Sequence, residues 1–190
     1  NPLRGQNNVQ GAADMGCQPH QGAGYFEVAD EKNQKFYTEK YGVTHPTKPG
    51  LKIPQMFDAA IKKELKGVWI IGEDIVQTDP NSAHVVEAMN SLELLVVQEI
   101  FMSETAKLAT VVLPGTTFLE KDGTFTNTER RIQRVNRAVE PLPGTKPDGV
   151  IVTDMMQKLG FDQPTYDADL MLKEIADIVP FFKGVTRERL

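Results

Sequence analysis

Three apolar runs in the middle of the chain alternate with segments of helical spacing. The runs are GVWIIG, LELLVVQEI and TVVLPG. They are short and rich in β-branched residues, so they predict buried strands. Apolar positions recur at helical spacing before the first run, in PQMFDAAIKKELK, and again between the runs. Strands that alternate with helices predict a βαβαβ unit, and continuously apolar strands are typical of a parallel sheet covered on both faces. We therefore predict an α/β fold, a three-layer αβα Rossmann-like parallel sheet.

The flanking patterns predict the remaining elements and the domains. Asp79 is a candidate N-cap and Pro80 a candidate first helical residue for the helix after the first strand. Residues 1–52 are rich in Gly, Pro, Asn and Gln and predict a loop-rich segment, which holds one polar helix near residues 30–41. Two helices end the chain, the first before Gly160 and the second before Pro180. We predict one αβα domain over residues 53–190, with an extended excursion at 115–147.

Composition excludes several classes of function. The formal net charge is −5, so the chain lacks the excess of Lys and Arg that nucleic-acid binding needs. No apolar run approaches membrane-spanning length, and we expect no membrane contact. A single Cys excludes a disulfide framework and a multi-Cys metal site. Three His residues far apart in sequence make a His-rich metal site unexpected, and we assign no metal ligand.

Polar residues follow the first two predicted strands. Ligands of open parallel sheets bind beyond the carboxyl ends of the strands. The candidates are Gly72, Glu73, Asp74, Thr78, Gln98 and Glu99. A carboxylate can accept two parallel N–H bonds from a guanine base, an amide can donate and accept, and a helix that starts near Thr78 offers N–H groups to a phosphate. The alternative is that Thr78 and Asp79 only cap the helix and that Asp74 is solvated, which spacing alone favours slightly. The chain has neither G-x-G-x-x-G nor G-x-x-x-x-G-K-[ST], which disfavours NAD and ATP.

Other charged or metal-binding residue types have simpler interpretations. Arg4 lies in a Gly/Asn loop without a nearby acid and could clamp a small anion, although an ordinary exposed Arg is the better interpretation from the residues alone. Cys17 and His20 form a C-x-x-H pair, but two ligands do not make a metal site. The arginines from Arg130 to Arg137 could contact phosphates, although a solvated strand face is the simpler explanation.

Five long segments, in this order, resemble the molybdopterin oxidoreductase family, and most of all its formate dehydrogenase members. They are NPLRGQNNVQGAADMG, GEDIVQTDP, LLVVQEIFMSETAKLATVVLP, EKDGTFTNTERRIQRVNRAVEP and KPDGVIVTDMMQKLGF. The resemblance covers nearly the whole chain and is weakest between residues 18 and 54. It implies an internal fragment of a formate dehydrogenase catalytic (alpha) subunit, with a nucleotide-binding domain like that of formate dehydrogenase and DMSO reductase.

The resemblance also implies a cofactor and roles for individual residues. These enzymes hold molybdenum or tungsten between two molybdopterin guanine dinucleotides, oxidise formate to carbon dioxide and pass electrons through a 4Fe-4S cluster. Arg4 would orient formate and Gln6 would lie near the pterin. Guanine nucleotide would bind to Asp74, Thr78 and Gln98. For Asp74 and Gln98 we therefore prefer a binding role to the simpler interpretation. Asp148 would contact pterin.

The departures from the family pattern are specific. Gly149 replaces the large aromatic residue usual after that Asp, which weakens the assignment of Asp148. The metal ligand, its adjacent His and the Cys residues for the 4Fe-4S cluster do not occur in this chain, so we expect the chain alone to be inactive. Expected partners are formate, the remaining domains of the subunit and an iron–sulfur electron-transfer subunit, and the expected compartment is the cytoplasm, with the periplasm as an alternative.

Three other interpretations stay open. A sister enzyme that acts on nitrate would share the nucleotide site. A non-catalytic electron-transfer subunit could keep the domain without the metal, and a plain nucleotide-binding module is the third possibility.

Overall fold

The computed structural model describes residues 5–162 and 164–190. The helices are α1 (Val9–Asp14), α2 (Glu31–Tyr41), α3 (Ile53–Ile61), α4 (Ile75–Thr78), α5 (Ser82–Asn90), α6 (Glu104–Lys107), α7 (Asp148–Lys158) and α8 (Ala168–Ile178). The strands are β1 (Gln21–Gly22), β2 (Phe26–Glu27), β3 (Gly67–Ile71), β4 (Leu94–Glu99), β5 (Val111–Pro114), β6 (Gly123–Thr126) and β7 (Ile132–Val135). Short 3-10 turns lie at Ala23–Tyr25, Phe118–Glu120, Pro180–Phe182 and Arg187–Arg189.

The chain divides into two units. The sheet unit consists of residues 52–121 and 136–166, and the terminal unit consists of residues 5–51, 122–135 and 167–190. The predicted assignment of residues 53–190 to one domain stays a prediction about the whole protein.

The sheet unit contains a three-stranded parallel sheet in the order β3–β4–β5. Its register pairs Val68 with Leu95 and Val97 with Val112. Side chains alternate between the two faces of a strand, so these four residues share one face. The α/β fold class and the parallel sheet predicted from the sequence are confirmed.

Helices cover both faces of this sheet. On the first face, α3 and α5 supply apolar side chains to one buried cluster with β4. Its fully or nearly fully buried members are Phe57, Ala60, Val85, Ala88, Met89, Leu95, Val97 and Ala106. On the second face, α7 lies against the end of β4 and against β5, because Gln98 bonds Asp148 and because Leu113 and Ile151 line one cavity. The three layers predicted from the apolar strands are present.

The helix that leads to β4, α5, begins at Ser82, later than the predicted start at Pro80. Asp79 is extended (φ −80°, ψ 136°), as expected for a residue before Pro, and its carboxylate accepts from the Asn81 N–H at 2.9 Å. Asn81 then caps α5 by accepting from the His84 N–H. The predicted N-cap at Asp79 is therefore wrong, and α4 takes up the residues before it.

Other element boundaries have clear local causes. Gly72 ends β3 with a positive φ of 64°, a conformation that Gly adopts without strain. Ser103 caps α6 by accepting from the Ala106 N–H. Gly160 follows the end of α7 and Pro180 follows the end of α8, as the sequence predicts.

The terminal unit has two antiparallel strand pairs and its own core. β1 pairs with β2, and β6 pairs with β7. Leu172, Val179 and Phe182 form the buried cluster, which α8 and the turn after it supply. The predicted excursion at 115–147 is therefore not uniform, since residues 122–135 form a hairpin in this unit and the flanking residues belong to the sheet unit.

Across residues 5–162 and 164–190, every helix lacks either the length or the apolar character that crossing a lipid bilayer requires.

Candidate cofactor site at the carboxyl edge of the sheet

Backbone hydrogen bonds align the carboxyl ends of the three parallel strands. The Gly72 N–H donates to the carbonyl of Gln98 at 2.8 Å, and the Gly115 N–H donates to the carbonyl of Glu99 at 3.0 Å. The chain leaves the sheet directly after these bonds. The residues predicted from the sequence as site residues at strand ends therefore come to one edge of one sheet, where such folds bind ligands.

The first group at this edge is the Asp74 cluster, made of Asp74, Gln77 and Thr105. One carboxylate oxygen, Oδ1, accepts from the Thr105 N–H at 3.0 Å and from the Thr105 hydroxyl at 2.6 Å. The other oxygen, Oδ2, accepts from Gln77 Nε2 at 2.6 Å. Thr105 is fully buried, and its hydroxyl also accepts from the Val76 N–H. Asp74 thus joins the turn after β3 to α6.

These hydrogen bonds set the pKa of Asp74. Burial raises the pKa of the carboxyl group, but hydrogen bonds from Thr105 and Gln77 and from the backbone of Glu104 lower it by more. The net effect holds the pKa of Asp74 below its ordinary value, because the donors stabilise the ionised form. The carboxylate is therefore a fixed negative charge at neutral pH.

Glu73 and Thr78 lie beside this cluster. Thr78 is the exposed last residue of α4, and its hydroxyl donates to the carboxylate of Glu73. The prediction that a helix begins near Thr78 and offers N–H groups to a phosphate is wrong, because the next helix, α5, begins at Ser82. Thr78 still presents its hydroxyl at the sheet edge.

The second group is the Gln98 cluster, made of Gln98, Lys121 and Asp148. Gln98 is 1% exposed, and its Nε2 donates to Asp148 Oδ1 at 2.7 Å. Lys121 Nζ forms an ion pair with Asp148 Oδ2 and also donates to the carbonyl of Thr116 at 3.3 Å. Asp148 is the first residue of α7, where a carboxylate interacts favourably with the helix dipole. The cluster thus joins β4, α7 and the segment after β5.

Two buried oxygen atoms near the Gln98 cluster have no hydrogen-bond partner among the described residues: Gln98 Oε1 and Thr116 Oγ1. A buried acceptor without a donor costs roughly 1–3 kcal/mol. Gln98 lies near the end of β4 and Thr116 follows β5, so both unsatisfied oxygen atoms belong to the carboxyl edge of the sheet.

Gly115 and Glu99 complete this edge. A Cβ atom at Gly115 would lie 3.3 Å from Asp148 Oδ1, so the absence of a side chain lets β5 approach α7 closely. Glu99 Oε1 accepts from the Ile100 N–H at 2.7 Å, which turns the chain after β4.

Tyr166 occupies the space beside Gly149. A Cβ atom built on Gly149 would lie 2.2 Å from Cε2 of the Tyr166 ring. The residue after Asp148 therefore has no room for a side chain while Tyr166 keeps its position. An aromatic ring thus occupies the space of a side chain at position 149, but it comes from Tyr166, 17 residues farther along the chain.

The remaining sequence candidates are elsewhere. Gln6 is exposed and precedes α1 in the terminal unit, and Arg4 lies outside the described residues. Cys17 is an exposed free thiol. Arg130 is not on a strand face as expected: it lies in the turn between β6 and β7, with its guanidinium 5.8 Å from the centre of the Tyr25 ring.

Sequence reasoning missed Thr105 and Lys121. Thr105 contacts Asp74 from 31 positions away, and Lys121 contacts Asp148 from 27 positions away. Both residues lie far along the chain from their partners, and no local spacing indicates which strand end they approach. Within the described residues, no group of three or more His, Cys, Asp and Glu side chains is arranged to hold a metal ion.

The whole chain is similar to longer proteins. It is 45% identical over 192 residues to the F420-dependent formate dehydrogenase subunit alpha of Methanocaldococcus jannaschii, covering 100% of this chain and 28% of that protein. It is 43% identical over 189 residues to the putative formate dehydrogenase YrhE of Bacillus subtilis, of which it covers 19%. The chain thus spans only 19–28% of the length of these relatives.

A solved structure shows the same fold. Acetylene hydratase from Pelobacter acetylenicus superposes with a TM-score of 0.59 at 20% identity, over 82% of this chain and 22% of that chain. The family model described as molybdopterin oxidoreductase matches residues 4–158, which include both clusters at the sheet edge. The chain belongs to the molybdopterin oxidoreductase family.

Proposed function

We propose that this chain is part of a molybdopterin-dependent formate dehydrogenase catalytic subunit and that its sheet edge holds molybdopterin guanine dinucleotide. The observation that carries the proposal is the buried, unsatisfied Oε1 of Gln98 beside the ion pair of Asp148 and Lys121. Guanine and pterin share a pyrimidinone ring with an amino group and a ring N–H, and both groups are hydrogen-bond donors. The family match and the relatives named as formate dehydrogenases support this cofactor class.

The residues present fit such a heterocycle. Gln98 offers an acceptor without a donor, and Thr116 offers a second one at the same edge. Asp74 is held ionised by Thr105 and Gln77, and each carboxylate oxygen can accept more than one hydrogen bond. Asp74, Thr78 and Gln98 would contact guanine nucleotide, with Gly72, Glu73 and Glu99 shaping the strand ends around it. Asp148 would contact pterin.

The chemistry of formate oxidation belongs to the metal and its two pterin ligands, which accept the electrons when bound. The residues of this chain would bind the cofactor and orient the substrate. Gln6 would lie near the pterin, and Arg4 would pair its planar guanidinium with the formate carboxylate and fix the direction of the C–H bond. A 4Fe-4S cluster and an iron–sulfur partner subunit would then carry the electrons away, and the compartment stays a prediction.

The test uses the full-length protein that carries this chain. We expect acid treatment to release guanine nucleotide, and we expect formate to reduce a redox dye. Gln98→Leu should lower the guanine nucleotide content severalfold, because it removes the unsatisfied acceptor. The same assays on the 190-residue chain alone should show no turnover.

Each contrary result has a defined meaning. Full activity without guanine nucleotide would contradict the cofactor assignment. Reduction of nitrate without formate oxidation would identify a sister enzyme, and a full-length protein without molybdenum or tungsten would favour a non-catalytic electron-transfer subunit. Sustained formate oxidation by the chain alone would contradict the proposal that it is only part of the catalytic unit.

A further inference from the structure

The Gln98 cluster has a fixed order of hydrogen-bond donors and acceptors. Lys121 has only donors on its ammonium group, and an ionised Asp148 has only acceptors. Gln98 is the third member, and its amide has one end of each kind. Since Oδ1 of Asp148 can only accept, Gln98 must turn Nε2 toward it, as the 2.7 Å contact shows. The order therefore runs from Lys121 through Asp148 to Gln98.

This order determines what Gln98 offers to a ligand. With Nε2 bound to Asp148, the side chain presents Oε1 to a ligand, a buried acceptor to which none of the described residues donates. Lys121 holds the carboxylate in this orientation, because its ammonium group lies against the other oxygen, Oδ2, and leaves Oδ1 to face the Gln98 amide.

Lys121 is itself held in place. Its side chain is about one quarter exposed, and its Nζ also donates to the carbonyl of Thr116. The adjacent Glu120 is fixed by Thr117, whose N–H and hydroxyl both donate to Glu120 Oε2. These contacts anchor the segment after β5 and keep the ammonium group beside Asp148.

We propose that Lys121 is a positioning residue for nucleotide specificity: through Asp148 it fixes the Gln98 amide with its oxygen as the ligand-facing acceptor. The site then selects a heterocycle that presents an N–H group, as guanine and pterin do, over one that presents a ring acceptor at that position, as adenine does. The inference rests on the proposed function, since it assumes that Gln98 contacts the cofactor. It adds a residue that touches no ligand itself.

The experiment measures nucleotide preference in the full-length protein purified without cofactor. The probes are GMP, a free pterin and AMP, and binding is measured by titration calorimetry. We expect the unmodified protein to bind GMP or pterin in preference to AMP. Whichever of these two probes binds identifies the heterocycle that Gln98 contacts. Lys121→Met should weaken that binding about tenfold and reduce the preference over AMP. Lys121→Arg keeps the positive charge and should restore both.

Two further variants separate a positioning role from a structural one. Asp148→Asn introduces a donor beside Gln98, so it should let the amide turn over and should reduce the preference as Lys121→Met does. Lys107→Met removes an ammonium group from an exposed pair with Glu104 and should change neither affinity nor preference. A thermal melt of each variant shows whether it is folded, and Lys121→Gln, which retains a donor, replaces Lys121→Met if the latter does not fold.

The outcomes are distinct. If Lys121→Met binds the probes as the unmodified protein does, while Gln98→Leu loses affinity, the inference is overturned and the proposed function stands. Equal loss of affinity for GMP, pterin and AMP would also overturn it, because that result reports general damage. If Gln98→Leu binds as the unmodified protein does, both the inference and the assignment of Gln98 fail.

Discussion

The Asp74 cluster and the Gln98 cluster lie at the ends of neighbouring strands but differ in how completely their hydrogen bonds are made. Asp74 is only partly buried, yet both of its oxygen atoms accept from Thr105 or Gln77. Gln98 is 1% exposed, yet none of the described residues donates to its oxygen. The partly buried carboxylate therefore has a donor within the chain on each oxygen, and the buried amide oxygen has none among the described residues.

This difference separates two kinds of polar residue at the carboxyl edge of the sheet. Asp74 contributes to the fold before any ligand arrives, since two hydrogen bonds from Thr105 join the turn after β3 to α6 and a third, from Gln77, is local. Gln98 leaves one interaction unmade in the interior, where such an omission is costly. We expect changes at Asp74 to lower the stability of the chain, and changes at Gln98 to act mainly on the ligand.

The largest effect is expected for Asp74→Ala. This change removes the acceptor for the N–H and the hydroxyl of the fully buried Thr105, and it should lower the free energy of unfolding by about 2–4 kcal/mol. Urea denaturation of the chain measures it. A loss below about 0.5 kcal/mol, the level of an ordinary surface change, would show that the hydrogen bonds of Asp74 do not stabilise the fold.

The next effect concerns the Tyr166 ring beside Gly149. Gly149→Ala places a methyl group 2.2 Å from the Tyr166 ring, and it should cost about 1–3 kcal/mol, as overpacking does. Tyr166→Ala should relieve the clash, so the double variant should lose less than the sum of the two single losses. Strictly additive losses in urea denaturation would show that the two positions do not compete for space.

Acid titration distinguishes Asp74 by charge. The folded-state pKa of Asp74 is below its unfolded value, so the folded state binds fewer protons and the carboxylate stabilises the fold above the unfolded pKa. That contribution should disappear as the pH falls below about 4 and through the folded pKa. Asp74→Asn should show a shallower loss of stability over this acid range. An identical pH profile for both proteins would show that the Asp74 carboxylate does not contribute to the loss of stability in acid.

The smallest effect on stability is expected for Gln98→Leu. The change loses the bond to Asp148 but also removes the unsatisfied oxygen, so the free energy of unfolding should change by less than about 1 kcal/mol. Lys121 continues to pair with Asp148. A loss as large as that of Asp74→Ala would show that Gln98, too, serves chiefly to stabilise the fold.

The sequence predicted the sheet because its signal is local. Three continuous apolar runs such as GVWIIG mark buried strands wherever the helices pack, and the structure confirms all three. The predicted candidates at the strand ends came from the same pattern, since parallel strands finish at one edge. The sequence also predicted where α7 and α8 end, because Gly160 and Pro180 act on the residues next to them.

The remaining features depend on contacts between distant positions. Asp79 and Asn81 are both residue types that cap helices, and in the structure Asn81 caps α5 while Asp79 accepts from the Asn81 N–H. Tyr166 reaches Gly149 only after the chain folds, so the replacement of an aromatic residue by Gly149 looked like a loss. The pairing of Lys121 with Asp148 likewise depends on how the segment after β5 returns to α7. The periodicity of a sequence does not indicate contacts between residues that are far apart along the chain.

The path of the chain limits how the molecule can be divided by genetic engineering. The backbone leaves the sheet unit after Lys121, builds a hairpin of the terminal unit and comes back at Asn136. A deletion that stops at residue 121 would retain every parallel strand but discard α7, and with it the carboxylate that orients Gln98. A shortened protein that tests the proposed nucleotide site therefore has to keep residues 136–166, with a short linker in place of residues 122–135.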